Sequence, residues 1–217
     1  MKFMLNLQMN NIMRKILLCV TLLTISLCHN YIIAQNDGLE IEVRETIKQQ
    51  CIHKVKALTD HFAKIAMKDE ADSIKDYHIE ACMDLFVGGG NDTKDDEGNV
   101  IIPAPRIEVS SLATGKKNSY FIRIYLERLK RLKYTKVVFK TSDCYLADGG
   151  VKKIGENQYS ATVTFYQVFI GYNGDMIVYR DKTKKTVNVI IKRDNLGRFD
   201  VLLGNIKVDE TTETDQR

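Results

Sequence analysis

From Tyr159 to Phe169 the chain alternates: Tyr159, Ala161, Val163, Phe165, Gln167 and Phe169 share one face if the segment is a strand. Period-two spacing of this length excludes an amphipathic helix, which needs steps of three and four. Tyr172-Asn173-Gly174-Asp175 follows and holds Asn-Gly, the strongest short hairpin signal. The chain then returns over residues 176–192 with Val187, Val189 and Ile191 on one face. A long antiparallel hairpin is therefore expected, and a layer must cover its apolar face.

The covering layer is legible upstream, where the period changes. Ile47, Cys51, Val55, Leu58, Phe62 and Ile65 recur at steps of three and four, with no Gly or Pro between them, and predict a helix over residues 40–68. Residues 69–72 supply a turn and an N-cap candidate. A second helix is expected over residues 73–86, with Ile74, Tyr77, His78, Ala81, Cys82, Leu85 and Phe86 as its stripe and Gly88-Gly89-Gly90 as its stop. The short link makes the two helices an antiparallel hairpin. Residues 106–112 read as a short strand. Residues 120–132 read as a third helix, capped by Asn118 or Ser119, with Ile122, Tyr125, Leu126, Leu129 and Leu132 inward. Strands over residues 136–147 and 199–208 complete the order, and the polar tail from 209 reads as frayed.

Helices segregated from strands indicate α+β. The order resembles the nuclear-transport-factor-two-like superfamily of cystatin-like rolls. The phrase KVKALTDHFAKIAMKDEADSIKDYHIEACMDLF, residues 54–86, is similar to the helix pair that opens such domains. The chain also resembles exported Bacteroidetes proteins with no assigned role. The resemblance covers residues 40–208. It implies a cone-shaped roll, with a helical hairpin and a third helix on a curved antiparallel sheet of four to five strands. It brings no catalytic motif, and the fold alone selects no function.

The N-terminus differs in kind. Arg14 and Lys15 precede an uncharged run from Ile16 to Cys28, and small Ala34 follows. That order is the signal-peptide pattern. The run is shorter than the roughly 20 residues a membrane helix needs. Residues 1–34 are therefore expected to be removed, leaving one α+β domain over residues 35–217 in the periplasm or outside the cell. A lipid anchor at Cys28 is disfavoured, because Leu27 stands where a small residue is needed. Residues 1–34 hold Lys2, Arg14 and Lys15 and no acid, so their loss leaves 29 basic and 28 acidic residues. Such balance argues against a nucleic-acid partner. Cys51, Cys82 and Cys144 remain, an odd number. The helix register sets Cys51 and Cys82 roughly 9 Å apart along the axis, too far for a bridge, and three free thiols are expected.

Chemistry-bearing motifs are sparse. His61 and His78 sit at similar heights on the two helices and could share a proton or a metal ion, but no third ligand has a suitable spacing. No metal and no cofactor are expected. The acidic loop with Asp92, Asp95, Asp96 and Glu97 fails the calcium-loop pattern, and the triple glycine is not a phosphate loop. A basic stretch from Lys116 to Lys140 could meet an acidic partner. Gln167 interrupts an apolar face and must find a partner in the protein or in a ligand. With Tyr77, His78 and Asp200 it makes the candidate set of pocket polar groups. Two or more of these converging on a deep cavity would favour a small-molecule enzyme of isomerase or dehydratase type. A cone filled by aromatics would favour a non-catalytic module that binds a ligand or protein, including a second copy through the sheet.

The export reading has a direct check. N-terminal sequencing of protein recovered from the periplasm or medium should begin near Gln35. An intact Met1 or Met13 terminus in the cytoplasm would refute it.

Overall fold

The computed structural model describes Leu39, residues 41–147 and residues 149–214. The chain divides into two units, Met1–Ile41 and Glu42–Arg217. The expected signal peptide and the last three residues of the tail lie outside the described residues.

The second unit has the expected α+β composition. α1 runs over Ile41–Ala66 and buries the anticipated stripe, with Ile47, Cys51, Val55, Leu58, Phe62 and Ile65 all inaccessible or nearly so. α2 spans Asp72–Met83. The two helices meet side by side at His61 and His78, whose Nδ1 atoms lie 3.0 Å apart. α2 is shorter than expected and turned about its axis. It buries Lys75, Ile79, Cys82 and Met83 and exposes Ile74 and Tyr77. The triple glycine then forms a 3-10 turn, Val87–Gly90, in which all three glycines have positive φ, from 58° to 73°. That conformation disfavours any residue with a Cβ. At Gly90 a Cβ would also meet Met83 Cε at 2.4 Å.

Among the described residues nine strands follow or interleave. β1 (Thr93–Lys94) and β2 (Val100–Ile102) form a small separate hairpin in the acidic loop. The Asp95 carboxylate of that loop accepts the backbone N–H groups of Glu97 and Asn99, so it serves the turn itself. β3 (Arg106–Ser110), β4 (Lys117–Phe121), β5 (Lys136–Leu146), β6 (Lys152–Gly155), β7 (Gln158–Asn173), β8 (Met176–Arg193) and β9 (Phe199–Thr212) make one seven-stranded sheet, with α3 (Ile122–Lys130) between β4 and β5. The main path is β4-β3-β9-β8-β7-β5, and β6 pairs with β7.

The sheet departs from expectation in three respects. It has seven strands instead of four to five, because β4 and β6 are short, mostly exposed edge segments without strong alternation. It is mixed rather than antiparallel, since β3 lies parallel to β9 through Ile107 and Ile206. The tail does not fray at 209: β9 continues to Thr212, which pairs with Lys182. α3 is also shorter than the sequence suggests and has no side-chain cap, because residues 117–121 join β4 instead.

The core lies between the helices and one face of the sheet. Phe62 of α1 meets Tyr125 of α3 at 5.2 Å and Phe139 of β5 at 5.9 Å between ring centres. One turn earlier on α1, the Thr59 hydroxyl is 2.5 Å from that of Thr141 on β5. Cys51, Cys82 and Cys144 are free, the first two buried, as the register implied. Burial raises the thiol of Cys51 to about 12 and that of Cys144 to about 11, and it raises Cys82 as well. Thiols held protonated in this way are poor nucleophiles.

Phe62 of α1 packs against both α3 and β5, so its truncation reports on the packing. Phe62→Ala should cost about 3–5 kcal/mol in urea unfolding. A loss well below about 1 kcal/mol would mean that this contact does not hold α1 to the sheet.

Candidate functional site

The β7–β8 hairpin builds the site. Asn173 pairs with Met176, leaving Gly174-Asp175 as a two-residue loop, with Gly174 at φ 58° as such loops require. The register places Gln167 opposite Thr183, Phe169 opposite Asp181 and Phe165 opposite Lys185. Asp181, Thr183 and Lys185 therefore occupy successive inward positions of β8, continuing the face of Val187, Val189 and Ile191.

Above this ledge lies a cavity of about 340 Å³. Its walls include Tyr125, Arg128 and Leu129 of α3, Tyr134, Phe139 of β5 and Tyr120 of β4, with Phe169 and Tyr179 on the sheet side. Phe169 packs against Phe139, Tyr134 and Tyr179 at centroid distances of 5.1, 5.6 and 5.8 Å. The Tyr134 ring lies over Gly171, where a Cβ would approach it to 2.6 Å. Glycine at 171 thus lets the Tyr134 ring approach the sheet backbone closely. At another wall the Arg128 guanidinium stacks over Tyr120 at 4.7 Å.

The polar floor is deeply buried. Lys185 is 4% exposed, Gln167 4% and Asp181 5%. Lys185 Nζ donates to Gln167 Oε1 at 2.7 Å. Among the described residues no carboxylate lies within 4.0 Å of this ammonium. Burial consequently pushes the Lys185 amine down to about 8, only partly offset by the more distant charge of Asp181. With Oε1 committed to the lysine, Gln167 Nε2 is buried and has no hydrogen-bond partner. Tyr179 donates its hydroxyl hydrogen to Asp181 Oδ2 at 2.7 Å and accepts the Leu112 N–H at 3.1 Å. Burial still raises the Asp181 carboxyl above the usual carboxylate range, against the pull of Tyr179 and Lys185. Burial likewise raises the Tyr125 phenol. The site thus offers one donor without an acceptor, an amine with a single neutral partner, and an acid–base pair nearby, inside an aromatic enclosure.

Of the four residues expected at a pocket, the structure brings only Gln167 to this cavity. Tyr77 is 67% exposed on the outer face of α2. His78 is turned to His61, whose own proton affinity is lowered by burial and then by His78. Asp200 is exposed on β9, beside an open groove with Gln49, His53 and Lys56 of α1. No group of three or more metal-ligating side chains occurs among the described residues. Sequence reasoning passed over Lys185, Asp181 and Tyr179, although extending the inward parity of Val187 back along β8 reaches all three. The basic stretch is largely engaged within the fold. Arg123 makes a two-pronged pair with Glu80 at 2.7 and 2.8 Å, Lys130 meets Asp76 at 2.6 Å, and Lys117 Nζ donates to Val208 O at 2.7 Å.

No known protein family matches the chain, and no curated protein does. Among solved structures, it is similar to a protein provisionally named a scytalone dehydratase from Novosphingobium aromaticivorans DSM 12444. The identity is 12% and the TM-score 0.41, over 82% of this chain and 94% of that one. It is also similar to the Kfla4162 protein from Kribbella flavida, at 11% identity and TM-score 0.35, over 74% and 91% of the two chains. Likenesses this low carry no activity across.

Lys185 makes stability depend on pH in a definite sense. Its amine binds a proton less readily in the folded chain, near 8, than at the ordinary value of 10.5. Between those values the unfolded chain holds more protons, so stability rises with pH. The penalty of the buried ammonium is full below the folded value and fades as pH climbs through the unfolded one. Relative to Lys185→Met, the protein should gain about 2–3 kcal/mol between about pH 7 and about pH 10 in urea unfolding. Parallel pH profiles for the two proteins would show that the amine is not perturbed.

Proposed function

We propose that this chain is an exported binding protein whose cavity holds a small, largely apolar molecule ending in a hydrogen-bond-accepting oxygen. One observation carries the reading: at the floor of an aromatic cavity, Gln167 Nε2 has no partner and Lys185 has one neutral partner. Buried donors left unpaired are costly, and an oxygen placed between these two would satisfy both. The cavity is of the size and character of small-molecule sites, mostly apolar with a few convergent polar groups. Export rests on the order of residues 14–34. An acidic macromolecular partner at Lys116–Lys140 is not part of the proposal, because internal contacts engage much of that stretch.

A second reading, a small-molecule enzyme of isomerase or dehydratase type, is favoured by a specific pairing. An amine that burial brings near neutrality shares the cavity with a carboxyl that burial raises. Groups tuned in this way suit proton transfer near neutral pH.

Acetophenone and α-methylstyrene test the binding reading, since they have nearly the same shape and only the first carries an accepting oxygen. Both should bind saturably in ligand-observed NMR. Gln167→Leu should weaken acetophenone about tenfold, the worth of one buried hydrogen bond, and leave α-methylstyrene within about twofold. Absence of saturable binding by either compound, or equal loss for both, would overturn the proposal.

A further inference from the structure

Lysines buried to this degree ordinarily face a carboxylate, because an unpaired ammonium loses its hydration without compensation. Lys185 departs from that pattern. Its one hydrogen bond goes to an amide oxygen, and the nearest acid on its strand face, Asp181, lies beyond ion-pair distance. It also lines a cavity rather than a filled core. Its place in the fold is that of a reactive amine: sequestered from bulk water, oriented by a fixed acceptor, and facing space for a second molecule.

We infer that Lys185 is an imine-forming residue, whose neutral amine condenses with the carbonyl carbon of an aldehyde or ketone held in the cavity. The inference rests on the binding reading above and names the class of its oxygen acceptor. Gln167 has a double part. Its Oε1 accepts from Lys185 and fixes the direction of Nζ, while its unpartnered Nε2 is free to donate to the carbonyl oxygen. Burial lowers the amine to about 8 and so enlarges the neutral fraction that attack requires, since a protonated one has no lone pair.

The step balances without a redox partner. The Nζ lone pair forms a bond to the carbonyl carbon, and the π pair of C=O moves to oxygen, which takes a proton. The nitrogen sheds one of its two protons to give the neutral carbinolamine, whose hydroxyl takes a second proton and leaves as water as nitrogen forms the second bond to carbon. The remaining N–H proton is released to leave a neutral imine. One amine and one carbonyl enter; one imine and one water leave. Asp181, on the same face, its carboxyl raised by burial and accepting a hydrogen bond from Tyr179, is the group on this ledge suited to supply and recover the proton.

Borohydride trapping decides the matter. The full chain is incubated with substoichiometric benzaldehyde, reduced with sodium borohydride, and mapped by peptide mass spectrometry. Lys185 should carry the benzyl group at least about tenfold more than Lys184, its neighbour on the opposite face of β8. Excess acetophenone should protect Lys185 and leave Lys184 unchanged. Gln167→Leu should slow trapping at Lys185 alone. Two outcomes would overturn the inference, and they differ in what else they remove. If acetophenone binds saturably but Lys185 carries no more label than Lys184, the imine fails and the binding reading stands. If acetophenone does not bind and the label is spread over surface lysines, both fail.

Discussion

The pairing register of β7 with β8 is the constraint on which the rest depends. Side chains alternate along a strand, so a slip of β8 by one residue would turn Asp181, Thr183 and Lys185 away from the helices and from Gln167. The same slip would turn Val187, Val189 and Ile191 to solvent. The two-residue loop at Gly174-Asp175 and the run of apolar partners near the far end hold that register from both sides. One alternating face therefore changes character along its length. It is an apolar floor beneath α1 at one end and a polar ledge beneath α3 at the other.

A buried ammonium without an ion-pair partner is a burden that an optimised core would shed. Here the surroundings reduce it without removing it. Gln167 gives up its acceptor to the lysine, and Asp181, its carboxylate accepting the Tyr179 hydroxyl, lends charge from a distance. The result is a cluster in which every member is partly satisfied and one donor is left open. Residues that trade stability for reactivity in this way gather at functional sites. The aromatic shell of Phe139, Phe169, Tyr134 and Tyr179 keeps water scarce and so strengthens each remaining interaction.

Much of the fold was legible because its periods are long and clean. The α1 stripe and the face from Tyr159 to Gln167 are buried residue for residue, and half-buried Phe169 carries that face on into the cavity wall. The rotation of α2 was not legible. Its apolar residues are few, and Ile74, Tyr77 and Lys75 could each be read as inward. The structure buries the lysine stem, because the acids on the other side of α2, Asp76 and Glu80, pair with Lys130 and Arg123 of α3. Edge strands such as β4 and β6 escaped notice because partners, not pattern, make them strands. At the site, Gln167 stood out as a polar break in an apolar face. Lys185 did not, because β8 around it carries so many charges that an inward lysine looks like any other.

The parallel pairing of Ile107 with Ile206 has a consequence for how the chain finds its structure. The β7–β8 hairpin closes a short loop and can form from local contacts alone. The β3–β9 pairing joins segments almost a hundred residues apart, and the Ser110–Thr211 hydroxyl contact beside it spans 101. Contacts of such separation carry a large loop-closure entropy and slow the search. The ledge can therefore be assembled early, while Val109 and Ser110, which close the cavity on its β3 side, arrive only when the final strand has been delivered. Until then the apolar face of the sheet and its buried lysine share an open edge, and the docking of β9 decides when the enclosure becomes a site.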